Sequence, residues 1–240
     1  MPGKAAIVTG GSSGIGLAIA EMLLDEGFGV TVVARRPEKL EAAVAGLAGA
    51  GREVAPMAGN MASEETVQQV VAAHRDRFGR LDVLVNNAGV GFGAPVAEIL
   101  TKRLDMQLEV NLRSIVLFYR ECAGLLRAAA AEHRNALVVN TASISGKQGE
   151  AWLSVYSATK AGVIGFTEAM NKELGSEGIK SCALCPAFVD TPMTDFIKDS
   201  VAAPEMIRPQ DVSEAVRLLL RLSSACLIPE IIFQRPGGMP

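Results

Sequence analysis

The stretch of this 240-residue chain whose residue types and spacing most clearly suit catalysis is YSATK, from Tyr156 to Lys160. It opens a longer segment, YSATKAGVIGFTEAMNKEL, whose apolar residues recur at three- and four-residue steps, a pattern that predicts a helix. On a helix, residues four apart share a face, so the phenol and the ammonium are neighbours. A free tyrosine has a pKa of about 10, and a nearby cation favours the phenolate and lowers that pKa. The pair has the chemistry of a general acid/base, although a surface tyrosine beside a surface lysine remains the alternative.

A glycine-rich turn, TGGSSGIG, lies between the first predicted strand and the first predicted helix. Glycine permits a tight turn and lets backbone N–H groups approach a pyrophosphate at a helix N-terminus, where the helix dipole favours negative charge. The glycine spacing is G-x-x-x-G-x-G, which differs from the commonest dinucleotide fingerprint but uses the same physics. The turn predicts a nucleotide site formed by Gly10, Ser12, Ser13, Gly14, Ile15 and Gly16.

The second predicted strand ends in ARRPEKL, which places Arg35 and Arg36 where sheets that prefer NAD typically carry an acidic residue. A carboxylate would repel the 2′-phosphate of NADP, whereas guanidinium groups can hold it through charge-assisted hydrogen bonds. An exposed basic pair at the start of a helix is the alternative. The pair favours NADP(H) over NAD(H) as the cofactor.

Short, continuously apolar segments alternate with longer helical patterns along the whole chain. Strands are expected at 5–9, 30–34, 53–57, 82–86, 136–140, 180–185 and 230–234, and helices near 14–26, 38–48, 64–78, 104–131, 155–175 and 211–222. The alternation predicts one α/β domain over 1–240, a doubly wound and mostly parallel seven-stranded sheet flanked by helices. Ligands bind such sheets beyond the carboxyl ends of the strands. The irregular segment 191–208 is expected to be a substrate lid or a surface connection.

Taken in order, the motifs resemble those of the short-chain dehydrogenase/reductase family, a group with the Rossmann fold, over essentially the whole chain. They are TGGSSGIG, NNAG at 86–89, Asn111, Ser143 in NTASISG, and YSATK thirteen residues after that serine. The resemblance implies that Tyr156 donates the proton in carbonyl reduction and accepts it in alcohol oxidation. It implies that Lys160 holds the nicotinamide ribose and lowers the tyrosine pKa. It also implies that Ser143 hydrogen-bonds the substrate oxygen and that Asn111 supports a water connecting Lys160 to solvent.

The resemblance also implies further neighbours of the cofactor beyond the glycine turn and the arginine pair. They are Asn60, Met61, Asn87, Ala88, Gly89, Tyr156, Lys160, Pro186, Ala187, Val189 and Thr191. Two positions depart from the family pattern, because Asn60-Met61 replaces Asp followed by a small apolar residue and Pro186-Ala187 replaces Pro-Gly. An amide at Asn60 keeps an acceptor for the adenine. The NNAG motif has a second interpretation, in which it stabilises the centre of the sheet.

We therefore expect an NADP(H)-dependent oxidoreductase that interconverts a carbonyl and a secondary alcohol with Tyr156 as general acid/base. The resemblance further implies a homodimer or homotetramer. Two other classes stay open: a non-catalytic NADP(H)-binding sensor or scaffold, and a lyase, epimerase or dehalogenase on the same fold. Trp152 and Phe92 are candidates either for facing an apolar substrate or for packing.

Composition excludes several other classes. The net charge is −3 and the pI about 5.6, which gives no basic surface for nucleic acid or anionic membranes. No apolar run approaches membrane-spanning length, and the N-terminus has no signal-peptide pattern, so a cytoplasmic protein is expected.

The cysteines and histidines give no sign of a metal or redox site, and no metal is expected. All four cysteines are expected in the core, with Cys182 and Cys185 pointing to opposite faces of one strand. His74 and His133 lie in charged helical surroundings and are expected to be solvated.

Overall fold

The computed structural model describes residues 3–49, 51–199 and 201–236, and seven strands in these ranges form one sheet. The strands are β1 (Lys4–Thr9), β2 (Phe28–Ala34), β3 (Val54–Ala58), β4 (Val83–Asn86), β5 (Ala136–Thr141), β6 (Ile179–Pro186) and β7 (Glu230–Phe233). Their order is β3-β2-β1-β4-β5-β6-β7, and every pairing is parallel. The predicted α/β class and seven-stranded sheet are confirmed; the sheet is wholly rather than mostly parallel.

Burial on both faces explains why the strands read as continuous apolar runs. Every residue of β2 is buried, and β5 and β6 are buried along their whole length. The edge strand β3 is only partly covered and contains Pro56, a residue that an edge strand tolerates because one side of its backbone needs no partner. The sequence prediction placed each strand to within a few residues.

The helices cover the two faces of the sheet. They are α1 (Gly14–Asp25), α2 (Pro37–Leu47), α3 (Glu64–Phe78), α4 (Thr101–Leu108), α5 (Ser114–His133), α6 (Ser154–Leu174) and α7 (Pro209–Arg221). Apolar residues of α1, α2 and α7 pack with one face of the strands, and those of α3, α5 and α6 with the other. Cys182 belongs to the first core and Cys185 to the second, as the alternation of strand side chains predicts.

The long helix expected at 104–131 differs from the prediction in its start and in its regularity. It begins at Thr101, ends at His133, and contains a π-helical turn at Glu109–Arg113 between α4 and α5. A π-turn accommodates one extra residue within the helical path, and such turns occur frequently at functional sites. Hydrophobic periodicity does not reveal this extra residue, because the apolar spacing on both sides of it is helical.

The expectation that both histidines are solvated is wrong. His74 is fully buried: Thr31 Oγ1 lies 2.8 Å from its Nδ1, and its Nε2 lies 2.9 Å from the carbonyl oxygen of Arg80. His133 is partly buried, with Nε2 2.9 Å from an oxygen of Asp82, a carboxylate that is itself buried. Both rings satisfy buried polar groups, a use that the charged neighbouring residues conceal.

The expectation that all four cysteines lie in the core holds for three of them. Cys122, Cys182 and Cys185 are buried, whereas Cys226 is exposed. Within the described residues no cluster of three or more potential metal ligands occurs. No helix in the same part of the chain is long and apolar enough to cross a membrane.

Candidate active site

The candidate site lies where the strand order reverses, between β1 and β4. Strand β1 pairs with β2 on one side and with β4 on the other, so the loops after β1 and β4 leave the sheet in a crevice. In open parallel sheets this crevice is where ligands bind. The glycine turn follows β1, the NNAG motif ends β4, and Ser143 follows β5.

The glycine turn owes its residue types to close packing on the end of β4. Gly10 and Gly14 have φ angles of 67° and 55°, in the left-handed region that disfavours other residues. A Cβ added to Gly10 would stand 2.9 Å from the Cα of Ala88, and one added to Gly16 would stand 2.4 Å from Asn87 Nδ2. Glycine at these positions lets the turn lie directly on NNAG and leaves the N-terminus of α1 open toward the crevice.

The N-terminus of α1 has the donors that an anionic group requires. Ser13 is the N-cap residue, and its side chain makes no capping hydrogen bond within the described chain. The first N–H groups of a helix lack internal partners, and the helix dipole there favours negative charge. The backbone cradle at Gly10, the Ser12 and Ser13 hydroxyls and the helix terminus therefore fit a pyrophosphate.

The next two strand ends place the other predicted cofactor residues along the same edge. Arg35 and Arg36 are exposed just after β2, and neither forms an ion pair with any residue that the structure describes. After β3, Asn60 is exposed, and its Oδ1 accepts a hydrogen bond from the backbone N–H of Ala62. Met61 differs from the expectation in that its side chain is buried in the core. Only its backbone remains available for a cofactor contact.

The NNAG motif is engaged in the internal structure of the sheet, as the second interpretation of it proposed. Asn86 donates to Asn140 Oδ1 across β4 and β5. Asn87 Nδ2 donates to the carbonyl oxygens of Thr9 and Gly10, and its Oδ1 accepts from Thr141 Oγ1. The Asn87 side chain thus joins β1, the glycine turn and β5, while Ala88 packs on Gly10 and Gly89 lies next to Asn111 and Lys160.

The structure brings Tyr156, Ser143 and Lys160 together. Ser143 lies close enough to Tyr156 to lower the pKa of its phenol, while the Ser143 hydroxyl donates to the carbonyl oxygen of Pro186 at 3.5 Å. Lys160 Nζ lies 5.6 Å from the centroid of the Tyr156 ring and donates to the carbonyl oxygen of Thr141 at 2.7 Å. The shared helical face predicted from the spacing therefore exists, at the N-terminal end of α6.

Burial shifts the acid/base properties of both residues. It raises the pKa of Tyr156 above its usual value, and the hydrogen bond with Ser143 opposes the shift. It lowers the pKa of Lys160 to about 8, because the ammonium leaves water for a site only 3% exposed. That Lys160 lowers the tyrosine pKa stays a prediction, since the ammonium has Thr141 as its hydrogen-bond partner here.

Asn111 lies in the π-turn and connects α4–α5 to the loop after NNAG. Its Oδ1 accepts from the backbone N–H of Val90 at 2.8 Å, and its Nδ2 donates to the Val90 carbonyl at 2.9 Å and to Thr159 Oγ1 at 3.1 Å. A Cβ added to Gly89 would stand 3.5 Å from Asn111 Oδ1 and 3.6 Å from Lys160 Nζ. Asn111 and Lys160 are therefore neighbours across Gly89.

A short 3₁₀ turn, Ile144–Gly146, holds Ser143 against α6. The Ser143 hydroxyl caps this turn by accepting from the backbone N–H of Ser145. A Cβ added to Gly146 would stand 2.7 Å from the backbone carbon of Lys160, so only glycine allows the turn to pack directly on the helix. At the far end of the turn, Lys147 pairs with Glu230 on β7 at 3.1 Å.

Several residues that support the site were missed from the sequence. Thr159 holds Asn111, the carbonyl of Thr141 holds Lys160, and buried Gln107 accepts from the backbone N–H of Phe92. Thr159 lies within YSATK, three residues after the tyrosine, so helical spacing could have placed it near the site. A backbone carbonyl carries no sequence signal, and Gln107 has none either.

The residues predicted after β6 lie on the same side of the site. Pro186 ends β6, and Ala187 donates to the carbonyl of Phe233 on β7. Val189 is buried, and Thr191 contacts the glycine turn, because a Cβ added to Gly14 would stand 2.8 Å from its Cγ2. The segment after β6 therefore faces the N-terminus of α1 across the crevice.

The parallel sheet, the glycine turn at its switch point and the tyrosine–lysine–serine group define a nucleotide-binding oxidoreductase of the Rossmann type. A family model described as short chain dehydrogenase matches residues 4–202. The chain belongs to the short-chain dehydrogenase/reductase family, and the resemblance found in the motifs is confirmed.

Relatives and solved structures resemble the chain over nearly its full length. A putative ketoacyl reductase of Streptomyces coelicolor is 35% identical over 95% of this chain and 94% of its own. The 3-oxoacyl-[acyl-carrier-protein] reductase FabG of Vibrio cholerae is 33% identical over 100% of this chain and 98% of its own. The crystal structure of a point variant of the actinorhodin polyketide ketoreductase with NADPH has a TM-score of 0.86 at 34% identity, covering 95% of both chains.

Proposed function

We propose that this oxidoreductase reduces the ketone of a β-ketoacyl compound to a secondary alcohol, using NADPH. The observation that carries the proposal is the Tyr156 ring lying 5.6 Å from the buried Lys160 ammonium, with Ser143 close enough to lower the Tyr156 pKa. Two relatives at 33% and 35% identity are named for ketoacyl reduction, which supports this substrate class over other ketones. The proposed substrates, β-ketoacyl compounds, are a narrower class than the ketones and alcohols of the carbonyl reductase or alcohol dehydrogenase type expected from the sequence.

The cofactor supplies the hydride; the residues of this chain position the carbonyl and handle the proton. The Ser143 hydroxyl donates to the carbonyl oxygen as negative charge develops there, an interaction that strengthens in the transition state. The Tyr156 hydroxyl gives its proton to that same oxygen. The Lys160 ammonium stabilises the resulting phenolate, and Asn111 orients a water that returns a proton from solvent.

The arginine pair supports NADPH over NADH. Arg35 and Arg36 are exposed, lie at the end of β2 and have no carboxylate partner among the described residues. Two guanidinium groups at this strand end suit a 2′-phosphate and leave a 2′-hydroxyl without its usual acidic acceptor. Asn60 and the Met61 backbone are assigned to the adenine side, and Pro186, Ala187, Val189 and Thr191 to the nicotinamide side.

Two structural roles belong to the same proposal. Residues 191–208 are proposed as the substrate lid, because Thr191 at the start of the segment contacts the glycine turn at Gly14 and the 3₁₀ turn that follows exposes Met193 and Phe196. The functional unit is a homodimer or homotetramer, because α6 exposes the small residues Ala158, Ala161 and Gly165 and the adjoining helix exposes Leu108 and Val116. Light scattering on the wild type and Ala161→Arg tests the assembly: the variant is expected to be smaller. The cytoplasmic location stays a prediction.

The deciding experiment follows NADPH consumption with ethyl acetoacetate and with acyl-thioester β-ketones, for wild type and Tyr156→Phe. The variant keeps the ring and loses only the hydroxyl. We expect it to lose at least about 100-fold in kcat while it binds NADPH with unchanged affinity. Equal turnover by the variant would refute the proton-donor role. NADPH binding without turnover of any β-keto substrate would instead favour the sensor or scaffold class.

A further inference from the structure

Trp152, the single tryptophan of the chain, has a backbone conformation that side chains rarely adopt. Its φ is 71°, and among the described residues Arg134 is the only other non-glycine with a positive φ. In this left-handed region the Cβ of an L-residue crowds the following carbonyl. A bulky residue persists there only when surrounding contacts determine its position, and such residues concentrate at functional sites.

Two contacts hold Trp152 in place, and both come from the loop after NNAG. The backbone N–H of Ala94 donates to the Trp152 carbonyl at 2.8 Å. The indole lies flat on Gly93, because a Cβ added to that glycine would stand 2.3 Å from Cε3, 2.4 Å from Cζ3 and 2.5 Å from Cδ2. Only glycine at this position lets the ring approach the backbone so closely.

The same loop contacts the proposed proton donor. A Cβ added to Gly91 would stand 3.6 Å from Cδ2 and Cε2 of Tyr156, so the tyrosine ring lies two residues along the loop from the tryptophan ring. Trp152 shortly precedes α6, and Tyr156 lies in the first turn of that helix. The loop at 91–94 therefore contacts both rings, the Tyr156 ring at Gly91 and the Trp152 ring at Gly93.

Trp152 remains 54% exposed although part of its indole is packed on Gly93. An aromatic ring that is held rigidly, yet leaves much of its surface open next to a reactive group, is suited to bind an apolar group. We propose that the exposed surface of Trp152 stacks on a planar apolar substituent attached to the ketone carbon, and so determines which β-keto substrates are turned over. This inference rests on the proposed function and adds a substrate class to it: β-ketoacyl compounds with an aromatic group beside the ketone.

A matched pair of esters tests the inference. Ethyl acetoacetate has a methyl group on the ketone carbon, and ethyl nitrobenzoylacetate has a nitrophenyl group at the same place. The variant is Trp152→Gly, because glycine adopts a φ of 71° without strain and the fold is therefore retained. We expect kcat/KM for the aryl ester to fall by about 10-fold or more, through KM, and that for the methyl ester to change by less than about threefold.

Gly93→Ala is the second variant and leaves the tryptophan in the chain. Its added Cβ would overlap the indole, so the ring must move and the same selective loss on the aryl ester is expected. Leu218→Ala is the matched control, because Leu218 is a large apolar residue 50% exposed on α7, and neither ester should respond to its loss. A loss of equal size on both esters in Trp152→Gly, or a gain on the aryl ester, would overturn the proposal.

The single tryptophan also gives a readout that needs no turnover. In Tyr156→Phe with oxidised cofactor, the nitrophenyl ester is expected to quench the indole emission saturably, whereas ethyl acetoacetate leaves it unchanged. Quenching that stays linear with concentration reports collisions alone and would overturn the stacking role. If wild type turned over neither these esters nor the acyl-thioester β-ketones while the quenching saturated, the reductase function would be wrong and the stacking surface would stand.

Discussion

Lys160 donates its ammonium hydrogen bond to the carbonyl oxygen of Thr141, 2.7 Å away at the end of β5, and not to the tyrosine whose face it shares. The ammonium is thereby fixed in a buried position, 5.6 Å from the centre of the Tyr156 ring. We predict that the ammonium acts on the phenol through its charge at this distance, so that its protonation state controls how well the site tolerates a phenolate.

We expect kcat/KM for ketone reduction to fall as the pH rises through about 8. Burial lowers the pKa of Lys160 to about 8, so the lysine is charged below that pH and neutral above it. Without the charge, the phenolate that remains after proton donation is no longer stabilised. A pH–rate profile at saturating NADPH measures the decline. Lys160→Met should be about 100-fold slower and should lack the inflection near pH 8, and a wild-type profile that stays flat across the alkaline range would contradict this role.

Replacing both Arg35 and Arg36 with alanine should raise KM for NADPH by about 10-fold or more, because two charge-assisted contacts to the 2′-phosphate are lost. KM for NADH should change little, since it has no such phosphate. Lys39→Ala, an exposed cation of α2 close in sequence, is the control for a general change in charge. Equal effects on the two cofactors would show that the pair does not select between them.

Gly16→Ala should weaken NADPH binding and destabilise the fold. The added Cβ would stand 2.4 Å from Asn87 Nδ2 and from the carbonyl oxygen of Gly10, so the turn and NNAG must separate. Thermal unfolding and NADPH titration measure the two effects. Gly46→Ala in α2, where an added Cβ meets nothing within 4 Å, should instead stabilise by about 0.5–1 kcal/mol. Similar outcomes for the two variants would disprove the packing argument.

His74 should make the fold sensitive to mild acid. Arg80 supplies only a carbonyl acceptor to Nε2, so the neutral ring carries its proton there and accepts at Nδ1 from Thr31. Burial lowers the pKa of His74 to about 4, against about 6.5 in an unfolded chain. Between these values the unfolded state binds more protons, so the stability is fully present above pH 6.5 and is lost as the pH falls toward 4.

The loss amounts to at most about 3 kcal/mol in the free energy of unfolding. Urea denaturation at several pH values between these limits measures it. His74→Gln should be less stable near neutral pH, because a buried pair of hydrogen bonds is altered, but its stability should depend less on pH in this range. The same slope for wild type and His74→Gln would assign the acid sensitivity to other groups.

The parts of the site that could be predicted are those whose chemistry depends on side-chain type and local spacing. The YSATK pair needed only helical geometry, and the glycine turn needed only its place between a strand and a helix. Continuous apolar runs located the strands, because a strand buried on both faces tolerates little else. Because successive side chains of a strand point to opposite faces, Cys182 and Cys185 could be placed on opposite faces of β6.

What could not be predicted depends on tertiary contacts. His74 looks solvated beside its charged neighbours in sequence, and only the approach of β2 brings Thr31 to its ring. The partner of Lys160 is a main-chain carbonyl, which every residue has. The contact of Trp152 with Gly93 joins two loops about 60 residues apart, and neither loop has a periodic pattern that would report it.

The π-turn at Glu109–Arg113 sets the direction in which the side chains of this helix point at the site. A regular α-helix rotates by about 100° per residue, so deleting one residue in this turn would restore ordinary α geometry and turn Asn111 away from Val90 and Thr159. The apolar face of α5 would still meet the sheet, and the fold could tolerate the change. A single-codon deletion there would thus give a protein that keeps the fold and loses the polar contacts of Asn111 near its buried lysine. Evolution could in this way preserve the architecture of the family without its catalytic arrangement.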